Sequence, residues 1–224
     1  MNYGLVIAAG KGAKFGANVD RAFLSLGPRP ILAYSLLAFE ACADIDGVIL
    51  VVKKDRVDAA RGMAQIFGCS KVIKVVAGAA LRQVSVQNGL AVMPDDVKIV
   101  TIHEASRPGV TSDLISDTIA AAKRGGAASV GLKVDDPVVA SERGAAVNES
   151  VDGSKLWTLQ SPQSFKFDVL QKSIKKFDGK KPLADEASMV EQCGEKLRIV
   201  PGSKYNIKIS TPDDVPLAAT LLKL

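Results

Sequence analysis

The chain has 224 residues, 47% of them hydrophobic and 24% charged, with a formal net charge of +5. That length allows one α/β domain with a large core or two small ones; the apolar content excludes bulk disorder, and no run of eighteen apolar residues suggests a membrane span. The modest positive charge suits polyanionic substrates, whereas three Tyr, one Trp and scattered lysines argue against a nucleic-acid partner.

The first element, residues 5–8, is a short apolar run that reads as a buried parallel strand. It opens into a loop with Gly10, Gly12 and Gly16 and two lysines, Lys11 and Lys14. Glycines let backbone N–H groups approach an anion closely and lysines offset its charge, so a nucleoside triphosphate suits this loop. Its spacing differs from the dinucleotide fingerprint, because the third glycine arrives one residue late. It also differs from a P-loop, because Gly10-Lys11 is followed by Gly12 rather than Ser or Thr. A tight strand-to-loop turn without a ligand is the plain alternative.

Strands and helices then alternate. Pro30 is placed to open a helix with Leu32, Leu36 and Phe39 on one face. Residues 47–52 read as a second strand, and Asp55 is expected to cap a helix through Phe67. A third strand at 71–76, a third helix at 79–93 and a fourth strand at 98–102 follow. Ser112 or Asp113 is expected to cap the helix ending near Gly125, and 127–134 is a fifth strand. The rhythm predicts a Rossmann-like α/β fold: a mostly parallel sheet, helices on both faces, and ligands at the carboxyl ends of the strands. The loops after Ala8 and Ile102 both belong there.

Between 137 and 150 the rhythm breaks. Residues 138–141 and 146–149 flank Arg143-Gly144 like a β-hairpin. Such an arm has little core of its own and is expected to pack on a second subunit; a surface loop is the alternative. Helices near 167–177 and 185–192 and a strand near 196–200 come next. A last helix has Thr211 as cap, Pro212 at its first position and Asp213 and Asp214 in its first turn. Lys172, Lys175, Lys176, Lys180 and Lys181 read as the solvated face and end of a helix. Cys42, Cys69 and Cys193 lack C-x-x-C spacing, arguing against a disulfide framework or a zinc site. With no secretory pattern at the N-terminus, the expected compartment is the cytosol.

Several spaced features converge. Ala8-Ala9-Gly10-x-Gly12 is followed by Lys14 and Arg21. Gly78 precedes Arg82 and Ser85, which share a helix face at i, i+3. His103, Glu104 and Arg107 end the fourth strand, and Leu156-Trp157, Ser161-Pro-Gln163, Asp185-Glu-Ala-Ser188 and Asn206-Ile-Lys208 follow in order. This order and spacing, from about residue 4 to 223, resembles the 2-C-methyl-D-erythritol 4-phosphate cytidylyltransferases of the non-mevalonate isoprenoid pathway.

The resemblance implies a single nucleotidyltransferase domain over 1–224, glycosyltransferase-A-like in fold. The arm at 137–150 would join a homodimer. The implied reaction is transfer of CMP from CTP to 2-C-methyl-D-erythritol 4-phosphate, releasing pyrophosphate, with Mg²⁺ or another divalent cation. By resemblance Ala8, Ala9, Gly10 and Gly12 hold the nucleotide. Gly78, Arg82 and Ser85 belong to the same site, with Gly78 and Ser85 near cytosine and ribose. Glu104 stands where the family binds metal, Arg107 meets the substrate phosphate, and Lys14, Arg21 and Lys208 supply catalytic positive charge. Fixed cations stabilise the charge that gathers when one phosphate attacks another.

There are departures. Lys14 replaces the family's arginine and Asp20-Arg21 its Pro-Lys pair, and Asp20 brings negative charge beside the expected triphosphate. Ala79-Ala80 replaces a Gly-Asp pair, and Pro137, Gly153 and Ala184 stand where the family places Thr, Arg and Thr around the acceptor. Arg143 or Lys155 is a candidate substitute for the missing arginine. A ribitol-phosphate acceptor, or a catalytically weak nucleotide-binding homologue, is the alternative reading. His103 and Trp157 are expected to be packing residues, and Asp185 a helix cap.

Overall fold

The computed structural model describes residues 1–10, 12–16, 19–177 and 184–224; Lys11, Lys180 and Lys181 lie outside them. The chain runs through β1 (Asn2–Ile7), a small ribbon of β2 (Ser25–Leu26) and β3 (Arg29–Pro30), and α1 (Ile31–Ala41). It continues with β4 (Gly47–Val52), α2 (Val57–Ile66), β5 (Val72–Ala77), α3 (Arg82–Leu90), β6 (Ile99–Glu104), α4 (Ser112–Gly125) and β7 (Ala127–Lys133). The arm strands β8 (Val138–Ala140) and β9 (Glu149–Val151) come next. After them are β10 (Trp157–Lys166), α5 (Phe167–Lys176), α6 (Glu186–Gln192), β11 (Leu197–Pro201) and α7 (Asp214–Leu221).

One seven-stranded sheet has the order β11-β7-β10-β6-β1-β4-β5. All neighbours are parallel except β10, which runs antiparallel to β6 and β7. β4 shows why its sequence is an unbroken apolar run. Val48, Leu50 and Val52 pack with Leu36, Phe39, Met63 and Ile115 from α1, α2 and α4. Ile49 and Val51 face the opposite side, with Val86, Leu170 and Met189 from α3, α5 and α6. Side chains alternate with period two, so a strand covered on both faces must be apolar at every position. A small third cluster, Leu26, Ile31, Ile209 and Ala218, seats α7 beside the ribbon.

From β1 the chain winds outward to β4 and β5, whereas β6 is laid down on the other side of β1. Strand order therefore reverses between β1 and β6, and a crevice opens at their carboxyl ends. Ile7 pairs with Glu104 at that level, so the first loop and the end of β6 depart side by side.

Several details differ from the sequence reading. The antiparallel β10 was not expected, because Pro162 inside the run argues against a central strand. The structure accommodates it at a bulge, where the pairing with β7 slips between Gln160 and Gln163. Asp55 does not cap α2; it lies in a 3-10 turn, Lys54–Arg56, that precedes the helix. Thr111, not Ser112 or Asp113, caps α4 through the Leu114 N–H, and α7 starts at Asp214, whose carboxylate accepts from Ser210 and Thr211 N–H, both at 2.7 Å. The third helix is shorter than 79–93, because the Ser85 hydroxyl holds the Ala79 N–H at 2.9 Å and keeps that stretch as loop.

The arm is a hairpin, but its second strand lies later than 146–149. Val138 pairs with Val151 and Ala140 with Glu149. The tip folds on itself instead: Glu142 N–H donates to Asn148 Oδ1 at 2.9 Å and Ser141 Oγ to the Ala146 carbonyl at 2.6 Å.

Candidate active site

The crevice is a cavity of about 210 Å³ bounded by Ala9, Gly10, Arg21, Ala79, Ala80, Arg82, Ser85, Glu104, Ser106 and Lys208. Its floor is backbone. Ala8 N–H donates to the Val51 carbonyl and Gly78 N–H to that of Val52, both at 2.7 Å, which ties the loops after β1 and β5 to β4. Gly12 has φ +57°, a conformation that favours glycine. A Cβ on Gly78 would press into the Ala9 side chain and stand 2.9 Å from Ser85 Oγ, so only glycine lets these loops meet.

Glu104 is the hub. Its Oε1 accepts from Arg82 Nη1 at 3.0 Å and Lys208 Nζ at 2.8 Å, and its Oε2 from Arg107 Nε at 3.3 Å. Burial alone would raise its pKa; Arg82, then Lys208 and Arg107, outweigh burial and hold it down to about 2. Arg82 also grips the buried Glu186 with two bonds, at 3.2 and 2.7 Å. Burial lowers the Arg21 pKa, opposed by Glu104 and Asp20, and its guanidinium lies against Gly10. Arg21, Arg82, Arg107 and Lys208 together outnumber Glu104 and Glu186. Asp20 acts on Arg21 and Asp185 on Arg82 and Arg107 as well, so the cations of the crevice are held among carboxylates.

The structure thus brings together Ala9, Gly10, Arg21, Arg82, Ser85, Glu104 and Lys208, with Ala8, Gly12 and Gly78 shaping the adjoining backbone. Two other residues are placed differently from expectation. Arg107 is 9% exposed, and its guanidinium is engaged by the Asn206 carbonyl at 2.9 Å and by Glu104, so it braces the wall instead of standing open to a phosphate. Lys14 is exposed on a 3-10 turn outside the cavity, where its charge acts on Asp214. Pro137, Gly153 and Ala184 do not line the crevice either.

His103 is buried, as expected of a packing residue, and burial pushes its pKa down to about 3. Asp185 caps α6 through the Ser188 N–H at 2.8 Å. Trp157, by contrast, is 40% exposed. Sequence reasoning noted Glu186 only as a carboxylate paired with Asp185 and Ser161 only within its motif, and it assigned neither a contact. Glu186 meets an arginine 104 residues away, a pairing no local spacing announces. Ser161 Oγ accepts the Glu104 N–H at 3.0 Å because the bulge in β10 aims it there.

A divalent cation fits this cavity only as a guest with one protein carboxylate. Among the described residues no cluster of three His, Cys, Asp or Glu side chains is present. Three donors leave Glu104 one lone pair on Oε2, a hard oxygen donor. Mg²⁺ takes most of its ligands from phosphates and water when one or two carboxylates hold it, so the donor set is compatible.

A family model described as "IspD: 2-C-methyl-D-erythritol 4-phosphate cytidylyltransferase" matches residues 3–224. A protein of that name from Alkaliphilus oremlandii is 34% identical over 221 residues, 98% of this chain and 94% of the other. One from Geobacter metallireducens is 35% identical over 226 residues, 99% and 97% of the two chains. Among solved structures, 4-diphosphocytidyl-2C-methyl-D-erythritol synthase from Anaerococcus prevotii shares the fold with a TM-score of 0.87 at 24% identity, covering 100% of this chain and 99% of that one. The 2-C-methyl-D-erythritol 4-phosphate cytidylyltransferase from Thermus thermophilus superposes with a TM-score of 0.79 at 26% identity, covering 98% of each.

Proposed function

The chain belongs to the 2-C-methyl-D-erythritol 4-phosphate cytidylyltransferase family, and from that premise we propose that it transfers CMP from CTP to 2-C-methyl-D-erythritol 4-phosphate. An oxygen of the acceptor phosphate attacks the α-phosphorus of CTP, a new P–O bond forms, and the bond to the β-phosphate oxygen breaks to release pyrophosphate. The attacking phosphate is already ionised near neutral pH, so no general base is required. The observation that carries this reading is the convergence of Arg21, Arg82 and Lys208 on the carboxyl ends of β1 and β6, around Glu104.

In this reading the backbone of Ala8, Ala9, Gly10 and Gly12 cradles the triphosphate, and Gly78 and Ser85 adjoin the base and ribose. Lys208 leaves Glu104 for the α-phosphate, and Arg21 offsets charge on the phosphates as the bonds exchange. Glu104 would hold Mg²⁺, which would supply further positive charge at the phosphates. The buried, braced Arg107 acts by shaping the wall. Because Gly153 offers no side chain to an acceptor, a ribitol-type phosphate stands as the second acceptor reading. The three free, buried cysteines support a reducing compartment, and we place the reaction in the cytosol. Among the described residues no helix is long and apolar enough to cross a membrane.

Pyrophosphate release measured across CTP, UTP, ATP and GTP with a panel of polyol phosphates tests the proposal. Turnover is expected with CTP and 2-C-methyl-D-erythritol 4-phosphate, and to stop on adding EDTA. Glu104→Gln is expected to lower kcat by about 10²–10³, the scale of losing one charge-positioning group. Faster turnover with ribitol phosphate would move the acceptor assignment, and no turnover with any pair would reject catalysis.

A further inference from the structure

Asp20 brings a carboxylate close to the first loop, yet the structure turns it away from the crevice. The residue is 8% exposed and stands just before the 3-10 turn Arg21–Phe23. Its Oδ1 accepts the Ala22 N–H at 3.2 Å, capping that turn. Its Oδ2 faces Lys53 Nζ at 3.7 Å and Arg56 Nε at 3.8 Å, and neither Oδ2 nor Arg56 Nε has a hydrogen-bond partner among the described residues. Arg56 also lies over the Phe23 ring, 5.7 Å from its centroid. The connection between β4 and α2 therefore grips the turn at both ends, at Asp20 and at Phe23.

Arg21 stands between the two grips. One of its terminal nitrogens is 3.4 Å from where a Cβ on Gly10 would sit, and its own Cβ packs at Gly12. A long side chain contributes to a transition state only when its backbone and first torsions are already held in place. We infer that Asp20 is a positioning residue for the transfer reaction: by capping the turn and pairing with Lys53 and Arg56, it presents Arg21 to the phosphate loop. This rests on the role of Arg21 proposed above. It also accounts for an acidic residue so near a triphosphate site, since Lys53 and Arg56 stand 3.7 and 3.8 Å from its Oδ2.

Steady-state kinetics with CTP and 2-C-methyl-D-erythritol 4-phosphate, run on Asp20→Ala, Asp20→Asn, Arg21→Ala and the Asp20→Ala/Arg21→Ala pair, test the inference. Asp20→Ala is expected to lower kcat about tenfold with the KM for CTP within about threefold, as for misplacement of a positioned group. Asp20→Asn keeps an acceptor for the Ala22 N–H and is expected to stay within about threefold of the parent. In the Arg21→Ala background, Asp20→Ala is expected to cost less than about twofold, because the group it presents is gone. Arg56→Met, on the exposed side of the same lock, gives a second reading if Asp20→Ala does not fold. It is expected to lose about threefold in kcat, and to lose nothing more once Arg21 is alanine.

Equal losses in both backgrounds overturn the inference, as does an Asp20→Asn variant as impaired as Asp20→Ala. A lower KM for CTP with kcat unchanged would make Asp20 an electrostatic brake instead, and also overturns it. If Arg21→Ala itself leaves kcat untouched, the role of Arg21 fails first and that of Asp20 falls with it. The single variants therefore tell the two failures apart.

Discussion

His103 sits in a hydrogen-bonded set whose members are fixed by one another. Its Nδ1 is 3.1 Å from Ser161 Oγ, and its Nε2 is 3.2 Å from Ser35 Oγ and 3.3 Å from the Arg107 carbonyl. Kept neutral by burial, the ring accepts at Nδ1 the Ser161 proton and donates at Nε2. Ser161 Oγ is then free to accept the Glu104 N–H. The histidine thereby holds the backbone that bears Glu104 and Arg107, without touching the crevice. His103→Leu leaves buried polar groups unpaired and is expected to cost about 2 kcal/mol of stability, since each orphaned group costs about 1–3 kcal/mol. Thermal unfolding reads that loss, with the pH profile of kcat unchanged between pH 6 and 8. A kcat that falls a hundredfold at unchanged stability would make His103 a catalyst. Its packing role was legible from its being the chain's only histidine, placed at a strand end. Its partners were not, because Ser35 and Ser161 lie 68 and 58 residues away.

At the scale of elements, the arm from 137 to 150 is the clearest unfinished piece. Among the described residues its two strands pair only with each other, and Val139 and Val147 are 48% and 63% exposed. A lone two-stranded hairpin is marginal in water, and we propose that the arm packs on a second copy of the chain to form a homodimer. Deleting residues 139–147 is expected to give a folded monomer by light scattering, because both large core clusters lie outside the arm. A deletion variant that remains dimeric would refute the assignment. The arm was readable because its apolar residues alternate in a stretch that breaks the strand–helix rhythm. β10 was not, since Pro162 carries the sequence signal of a loop, and only the bulge against β7 makes it tolerable in a sheet.

Across the whole molecule, buried ionisable groups set how the fold responds to acid. His103 in the native state refuses a proton down to about pH 3, whereas the unfolded chain accepts it near 6.5. Stability therefore falls as pH drops through that window, by about 1.4 kcal/mol per pH unit for one proton. Glu104 adds a second loss of the same sign between about 4.5 and about 2, because its native carboxylate stays ionised beside three cations. Urea unfolding from pH 7 to 4 should show the first limb, and His103→Leu should flatten it; an unchanged slope would contradict the burial of that ring. The sequence by itself determined the alternating layers, the glycine loop, the strand-end acid and the arm. Each of these depends on local periodicity, turn chemistry or a short motif, which neighbouring residues encode. Only the tertiary structure decided that Arg107 is engaged by Asn206 and Glu104, that Lys14 stands outside the crevice, and that Glu186 and Ser161 hold Arg82 and the Glu104 backbone. It also decided that Asp20 pairs with Lys53 and Arg56. Those outcomes depend on which distant charges and hydroxyls the sheet order brings within a few ångströms, and on how deeply each is buried. Neither quantity is carried by residue spacing along the chain.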